Sequence, residues 1–390
     1  MQYDKKRWKK IKGITNKFKD LSAIGIGNIT ASLVSGIFWF YFASLLGTEQ
    51  YGEVSYFIAI AGVASTISYL GLGNAIIVYT AKGEKIQPPM FVVGIISSVI
   101  SLIAVFLIFS QIGVSVYILG YVIFNLATAE MLGRKQYRNY SFYLVTQKIL
   151  MVGFSLLFYY LIGLEGVILG IGLSFFPYTV RIYKSLKNNK IDFSLVRPRL
   201  GFIINSYALD LSRTFGGYAD KLIIAPLLGF AILGNYQLGI QVLSILGILP
   251  GIVYQYILPL DSSGESNKKL KKLTVIVAII IAGLGYILAP IILPILFPKF
   301  IESIEVVQIV SISVIPSTIN LIYVSKFLGN ELSKIVLIGS GVFLVVQIIS
   351  IFILGGLLGV NGVALALVLG SSSEAIFLVS VNKFVYKLQE

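Results

Sequence analysis

The sequence contains neither cysteine nor histidine. Their absence excludes disulfide frameworks, thiolate nucleophiles, histidine-based catalytic triads and the usual zinc and haem ligands. The sequence also lacks a glycine-rich run that ends in Lys and Ser or Thr, which argues against a nucleotide-binding loop and an intrinsic ATP-driven pump. Any chemistry must use carboxylates, amines, hydroxyls or guanidinium groups. We therefore expect no catalytic residues, no metal and no cofactor.

Charged residues are scarce as well. Only 12% of the 390 residues are charged, 57% are hydrophobic, and the mean hydropathy is +0.89. This composition leaves too little polar surface to cover a water-soluble globule. The solvent for most of the chain is therefore lipid.

Long apolar stretches fill the sequence from the first basic segment to the C-terminal end. A bilayer core requires about 20 apolar residues per helix, and short clusters of Gly, Pro, Lys or Asn divide the sequence into stretches of this length. The pattern predicts an all-α polytopic membrane protein of about 12 transmembrane helices. The predicted spans are 22–46, 52–80, 89–110, 115–134, 141–163, 166–184, 201–228, 232–259, 273–297, 302–327, 332–356 and 360–382.

Lysine and arginine fall almost entirely on one side of these spans. Most of the 31 basic residues lie in the segment 1–20, in the even-numbered loops or at the C-terminal end, whereas the opposite loops contain Lys299. Cytoplasmic loops carry such an excess, so both termini are predicted to lie in the cytoplasm. This bias explains the formal charge of +14 better than nucleic-acid binding does, and the basic N-terminal segment is a candidate for contact with anionic membrane lipids.

Two motifs occur once in each half of the chain. LLGTEQYGEVSY, which begins at Leu45, matches LLGFAILGNYQL at Leu227, and LIGLEGVILG at Leu161 matches LLGVNGVALA at Leu357. The paired glycines are Gly47 with Gly229, Gly52 with Gly234, Gly163 with Gly359, and Gly166 with Gly362. Chance is a fair alternative for either match alone, but two matches at equivalent positions favour a duplication of six helices that run the same way through the membrane.

The duplication predicts the domain organisation. We expect a basic cytoplasmic tail (1–20), an N-terminal six-helix bundle (21–184), a cytoplasmic linker (185–200), a C-terminal six-helix bundle (201–383) and a short cytoplasmic tail (384–390).

The stretch FASLLGTEQYGEVSYFIAIAGVASTISYLGLGNAIIVYTAKG, residues 42–83, resembles the opening of the Wzx-type polysaccharide flippases. These proteins belong to the multidrug/oligosaccharidyl-lipid/polysaccharide (MOP) exporter superfamily. The resemblance includes an LG-x-x-x-YG turn and a later Gly-Leu-Gly. The residues that carry it are Leu46, Gly47, Tyr51, Gly52, Gly71, Leu72 and Gly73.

The resemblance implies both architecture and function. It implies two six-helix bundles around a central cavity that opens alternately to each side. It further implies a plasma-membrane transporter, not an enzyme, that flips a polyprenyl-(pyro)phosphate-linked oligosaccharide from the cytoplasmic to the outer leaflet for cell-surface polysaccharide assembly. A polysaccharide polymerase or glycosyltransferase is the kind of protein partner that such a transporter would have.

The seventh predicted span carries most of the charge inside the membrane. Placed on a helix, Asp210, Arg213, Asp220 and Lys221 lie on one face about 100° wide. Because ionisable residues at bilayer depth are energetically costly, each is a candidate functional residue. We assign Arg213 and Lys221 to substrate binding, since a guanidinium can hold phosphate oxygens in a bidentate fork, and Asp210 and Asp220 to ion coupling. The alternative is mutual neutralisation by an Asp–Arg pair that merely joins helices.

Three further charged residues are candidates. Glu130 and Arg134 are spaced as an i,i+4 ion pair near the cytoplasmic end of the fourth span. We assign Arg134 to substrate binding and Glu130 to ion coupling, and an interfacial anchor is the alternative for this pair. Glu374 lies too deep in the last span to reach the interface easily, so we assign it to ion coupling by H⁺ or Na⁺.

Two other functions compete with the flippase hypothesis. A cation-coupled drug or metabolite antiporter of the same superfamily would share the helices and the duplication and would also use membrane carboxylates. The net basic seventh span argues mildly against organic cations as cargo. An integral-membrane enzyme of polysaccharide assembly is less favoured, because the sequence has no large external loop to carry catalytic residues.

Overall fold

The computed structural model describes residues 25–263 and 267–387. Within these residues the protein is helical and contains no β-strand. The basic segment 1–20 and residues 388–390 of the predicted C-terminal tail lie outside the described residues. The helices are α1 (Gly25–Leu46), α2 (Thr48–Tyr69), α3 (Leu72–Ala81), α4 (Gln87–Phe109), α5 (Ile112–Gly133), α6 (Tyr137–Ile162), α7 (Leu164–Leu173), α8 (Thr179–Asn188), α9 (Leu200–Leu228), α10 (Phe230–Leu246), α11 (Ile248–Ser262), α12 (Lys268–Leu296), α13 (Ser303–Ile312), α14 (Val314–Gly329), α15 (Ser333–Ser350) and α16 (Gly356–Lys387).

The helices account for each of the predicted spans. Eight helical segments of the described chain are long and apolar enough to cross a membrane, and two bent pairs, α2 with α3 and α10 with α11, raise the number to 10. One of the eight, Ser333–Phe384, has 52 residues and contains the non-helical Gly359, so it covers the last two predicted spans. Helix α9, with 29 residues, coincides with the charged seventh span, but it is not among the segments that qualify as long and apolar enough. The predicted all-α polytopic architecture is confirmed.

Two spans that were predicted as continuous helices are broken in the structure. Helices α2 and α3 meet at 47°, and α10 and α11 meet at 48°. Between α2 and α3, Leu70 and Gly71 both have positive φ values, 54° and 68°, which end an α-helix. Gly71 also has no room for a side chain, because a β-carbon there would overlap the backbone nitrogen of Tyr207 in α9.

The repeated glycines occupy equivalent backbone positions in the two halves. Gly47 ends α1 with φ 86°, and its counterpart Gly229 ends α9 with φ 95°. Gly163 separates α6 from α7 with φ 77°, and its counterpart Gly359 interrupts the last helical segment with φ 59°. Glycine adopts this region without steric penalty. The sequence repeat therefore marks the same helix break twice, as expected for a duplicated bundle.

The second motif also packs in the same way in both halves. A β-carbon on Gly166 would overlap the carbonyl group of Phe158 in α6, and a β-carbon on Gly362 would overlap that of Leu354. The repeat pairs Phe158 with Leu354, so the two close approaches are equivalent. Small residues allow such backbone contact between membrane helices.

The chain divides into two compact units. The first contains residues 57–218 and the part of α1 that ends at Phe38. The second contains Trp39–Tyr56 and the described residues from Ala219 to Lys387. In this division the connection 189–199 and the N-terminal part of α9 group with the first unit, and Trp39–Tyr56 groups with the second.

Candidate functional site

In the first unit, the N-terminal part of α9 is fixed against α2. A β-carbon on Gly62 would lie 2.6 Å from the ring of Tyr218, so the glycine makes room for the tyrosine. One turn further along α2, the hydroxyls of Thr66 and Thr214 are 3.0 Å apart and share a hydrogen bond. A small residue and a hydroxyl pair are typical of close helix packing in membranes. These contacts determine which face of α9 packs against α2 and which face remains for other contacts.

Asp210 lies in a polar cluster formed by three helices of the first unit. It is half-buried and close enough to interact electrostatically with Tyr69 of α2, Tyr121 of α5 and Arg213. The hydroxyl of Tyr69 donates to the carbonyl of Asn125 at 3.3 Å. We call these residues, together with the threonine pair, the α9 polar cluster. Its members are Thr66, Tyr69, Tyr121, Asn125, Asp210, Arg213 and Thr214.

Arg213 is the exposed cation of this cluster. Among the described residues, ion pairs join Glu130, Glu84, Asp220 and Asp261 to basic side chains, and neither Arg213 nor Asp210 takes part in one. The guanidinium group and the carboxylate therefore influence each other without closing a direct contact. This geometry leaves the donors of Arg213 available to a ligand.

The other two charges of α9 form a separate cluster in the second unit. Lys221 Nζ lies 3.2 Å from Asp220 Oδ1, and the hydroxyl of Tyr236 donates to Asp220 Oδ2 at 3.0 Å. The backbone N–H of Lys221 also donates to Asp220 Oδ1 at 2.8 Å. Both charged side chains are only 11% exposed. The charged face predicted for the seventh span is thus divided, with one pair of charges open and the other pair engaged.

Glu130 binds two arginines. Its Oε1 lies 2.8 Å from Nε of Arg134, as the i,i+4 spacing predicts, and its Oε2 lies 2.8 Å from Nε of Arg181 in α8. Arg181 also donates to the side-chain oxygen of Gln136 at 2.8 Å. The Glu130 side chain is 4% exposed, whereas that of Arg134 is 41% exposed. These contacts fit the interfacial-anchor alternative for Glu130 and leave Arg134 accessible.

Glu374 has a neutral partner. Asn320 Nδ2 donates to Glu374 Oε2 at 2.9 Å and to the carbonyl of Ser371 at 3.0 Å. Within the described chain, Glu374 forms no ion pair, and Asn320 Oδ1 is buried without a hydrogen-bond partner. Asn320 is not among the residues predicted from the sequence, because nothing in its spacing connects it to Glu374.

The acid–amide pair is present in only one repeat. The alignment of the second motif pairs Asn320 with Phe124 and Glu374 with Tyr178. In the first unit these two rings pack edge to face with their centroids 4.9 Å apart. The duplicated scaffold therefore holds an apolar contact at one position and an ionisable one at its equivalent. A role for Glu374 would belong to the second repeat alone.

No family model matches the sequence, and no curated protein matches it. Solved structures of transporters do match its fold. The inward closed conformation of the lipid II flippase MurJ matches with a TM-score of 0.76 at 14% identity, over 92% of this chain and 87% of that one. An inward-facing MATE multidrug resistance transporter of the MOP superfamily matches with a TM-score of 0.66 at 16% identity, over 92% and 95%.

A MOP superfamily transporter from Pyrococcus furiosus also matches, with a TM-score of 0.62 at 16% identity over 95% of this chain and 96% of that one. At sequence identities this low, the structural matches show a common fold and no more. The resemblance to the superfamily predicted from residues 42–83 is confirmed at that level: this chain has the fold of the MOP superfamily transporters.

Proposed function

We propose that the protein is a flippase that moves a polyprenyl-(pyro)phosphate-linked oligosaccharide from the cytoplasmic to the outer leaflet of the plasma membrane. The observation that carries this proposal is the exposed Arg213, which lies near the middle of α9, the predicted seventh span, and forms no ion pair within the described chain. A lipid-linked sugar would supply the anion. The similar fold of the lipid II flippase MurJ supports a lipid-linked substrate.

The chemistry of Arg213 suits a phosphate ligand. A cation at bilayer depth is costly when it faces lipid and has no partner. A guanidinium group presents its donors in a planar fork that matches two phosphate oxygens. Asp210, close by on the same helix, can orient the guanidinium group or take up a proton or sodium ion. The cluster thus combines an anion contact with a carboxylate whose charge could change during transport.

The remaining candidates take different parts in this proposal. Arg134, 41% exposed, is placed to meet the head group early, while Glu130 holds its Nε. Lys221 and Asp220 are engaged with each other, so we propose that their effect on the substrate is through the local field rather than direct contact.

Energy would come from an ion gradient or from the substrate's own gradient. Glu374, bonded to the neutral Asn320, is the proposed coupling residue in the second unit, and Asp210 is its counterpart in the first. Uptake and release of H⁺ or Na⁺ at these carboxylates would bias alternating access. Both termini would lie in the cytoplasm. A polysaccharide polymerase or glycosyltransferase is the expected type of protein partner.

One observation favours the second candidate, a cation-coupled drug or metabolite antiporter. Glu374 and Asp210 are membrane carboxylates without a direct cationic partner in the described chain, and such groups can bind organic cations. Several structures of similar fold are multidrug transporters. The exposed Arg213 disfavours a cationic cargo at the α9 polar cluster.

Reconstitution separates the two functions. The purified chain is placed in vesicles with a fluorescent polyprenyl-pyrophosphate oligosaccharide, and transbilayer movement is followed by quenching from outside. Protein-free vesicles and a polyprenyl glycoside without phosphate are the controls. We expect rapid movement of the phosphate-bearing lipid in vesicles that contain the protein, and no rapid movement in either control. Transport of an organic cation, with no movement of the lipid-linked sugar, would establish the antiporter instead.

A further inference from the structure

The end of the sixth span and the connection that follows it expose apolar side chains. Helix α8 and the connection to α9 expose 58% of Val180, 62% of Tyr183, 49% of Ile191 and 52% of Phe193. Four cations are exposed in the same segment. We call these residues the 180–197 surface. Its members are Val180, Tyr183, Lys184, Lys187, Lys190, Ile191, Phe193 and Arg197.

On α8 the cations and the apolar side chains share one face. At 100° per residue, Val180, Tyr183, Lys184 and Lys187 fall within an arc of about 100°. The opposite side is buried through Ile182 and Ser185. Lysine can extend its charge to a polar layer while its alkyl stem lies along apolar neighbours. The exposed face of α8 therefore carries apolar side chains and cations together, instead of separating them onto opposite faces.

The two other arginines of the segment point inward and fix it to the first unit. Arg181 binds Glu130, and Arg199 pairs with Glu84 while its guanidinium lies 4.8 Å from the centre of the Tyr79 ring. The exposed cations of the 180–197 surface, by contrast, form no ion pair within the described chain. The segment is anchored on one side and leaves its cationic, apolar side open.

The acid in this segment does not neutralise the surface. Asp192 Oδ1 accepts hydrogen bonds from the backbone N–H of Ser194 at 2.9 Å and from its hydroxyl at 2.6 Å. These bonds hold the pKa of Asp192 below its usual value, so the carboxylate stays ionised. One anion against four cations leaves the 180–197 surface positive.

Both ends of the segment are tied to the membrane. Its first part lies at the end of the candidate membrane span Leu164–Asn188, and α9, the predicted seventh span, begins at Leu200. The connection folds into two short turns, Phe193–Leu195 and Arg197–Arg199, which keep it compact between the ends of the two helices. An aromatic and an aliphatic side chain exposed at that depth, among lysines, match the boundary between head groups and acyl chains.

We propose that the 180–197 surface is a binding site for anionic phospholipid. Phe193, Ile191 and Tyr183 enter the boundary with the acyl chains, and the cations Lys184, Lys187, Lys190 and Arg197 contact the head-group phosphates. Clusters of lysine and arginine beside a membrane span bind anionic lipid in this way. The site lies apart from the α9 polar cluster and does not depend on the transported substrate.

A tryptophan at position 193 reports on this site. The full chain carries Phe193→Trp in a background of Trp8→Phe and Trp39→Phe, and it is placed in nanodiscs of neutral or anionic lipid. Lipids brominated on the acyl chain quench a tryptophan that reaches them. We expect strong quenching in anionic discs, and about half of it or less in neutral discs or when Lys187, Lys190 and Arg197 are all changed to Gln.

The matched control changes Lys268, Lys269 and Lys272 of α12 to Gln. These lysines are also exposed, and their removal alters net charge equally without touching the 180–197 surface. It should leave the quenching unchanged. An unquenched tryptophan in anionic discs would overturn the proposal and indicate a water-facing surface for a protein partner. Equal quenching in neutral and anionic discs, insensitive to the three substitutions, would also overturn it.

Discussion

Gly52 and Gly234 make a reciprocal backbone contact. A β-carbon on Gly52 would overlap the carbonyl oxygen of Phe230, and a β-carbon on Gly234 would overlap that of Thr48. The repeat that pairs the two glycines also pairs Thr48 with Phe230, so the contact has internal two-fold symmetry. Both segments belong to the second unit. The duplicated motif thus packs against its own copy.

This contact predicts a stability effect. Gly52→Ala and Gly234→Ala should each lower the free energy of unfolding by about 3 kcal/mol or more, because a backbone carbonyl cannot move aside as a side chain can. Gly153→Ala in α6 is the control, since a β-carbon there meets open space. Thermal unfolding of the three purified variants in detergent measures the effect. Alanine variants of Gly52 and Gly234 as stable as Gly153→Ala would show that the helices are not in close contact.

The two arginines of Glu130 should differ in importance. Arg181, 20% exposed, pairs with the buried Glu130, and Glu130→Ala leaves this mostly buried cation uncompensated, which costs up to about 3 kcal/mol. Arg134→Gln removes a cation that is 41% exposed, and it should change stability by about 1 kcal/mol or less. Denaturation of both variants in the same detergent tests this difference. A stable Glu130→Ala variant with impaired transport would instead favour the ion-coupling role assigned to Glu130.

Sequence patterns predicted features that depend on local chemistry. Apolar stretches predicted the spans, and the glycine motifs predicted the duplication. The structure shows why glycine recurs in these motifs, because positive φ and close backbone approach both demand it. The partners of the buried acids could not be predicted. Arg181 reaches Glu130, and Asn320 reaches Glu374, only through the packing of separate helices. The separation of the four charges of α9 into an open pair and an engaged pair could not be predicted for the same reason. It depends on contacts that α9 makes with Tyr236 and with α2.

The Glu374 site offers a test of ion coupling. Glu374→Gln keeps an oxygen that can accept the hydrogen bond from Asn320, yet the side chain can no longer ionise. We expect a folded protein whose transport no longer responds to an imposed proton or sodium gradient. Transport in reconstituted vesicles with and without the gradient measures the response. Asp210→Asn is the parallel variant in the first unit.

If Glu374→Gln responds to the gradient like the parent, coupling must reside elsewhere. ATP is a further control, and it should have no effect on the purified chain. ATP-dependent transport by the purified chain would contradict the proposed energy source.

The predicted orientation can be tested with single cysteines, because the chain contains none. Asn188→Cys lies at the end of α8 and Gln111→Cys lies between α4 and α5. A membrane-impermeant maleimide added to sealed cells should label the cysteine at 111 and not that at 188. Permeabilised cells, in which both should react, are the control. The reverse pattern in sealed cells would place the termini outside.

The contact between Arg213 and the substrate phosphate is the central claim. A charge-assisted bidentate contact predicts that Arg213→Ala slows flipping about ten- to a hundred-fold. Arg213→Lys should recover only part of the rate, because an ammonium group keeps the charge but loses the planar fork. If Arg213 merely neutralised Asp210, removing both side chains would leave no uncompensated charge and would restore transport.

The most direct measurement is therefore the flipping rate of a polyprenyl-pyrophosphate oligosaccharide by four forms of the chain at matched protein levels in vesicles. The forms are the parent, Arg213→Ala, Arg213→Lys and the double variant Asp210→Ala with Arg213→Ala. The proposed phosphate contact predicts that the double variant stays as slow as Arg213→Ala, with Arg213→Lys between it and the parent. A double variant that flips the lipid as fast as the parent would contradict it and make the Asp210–Arg213 pair structural.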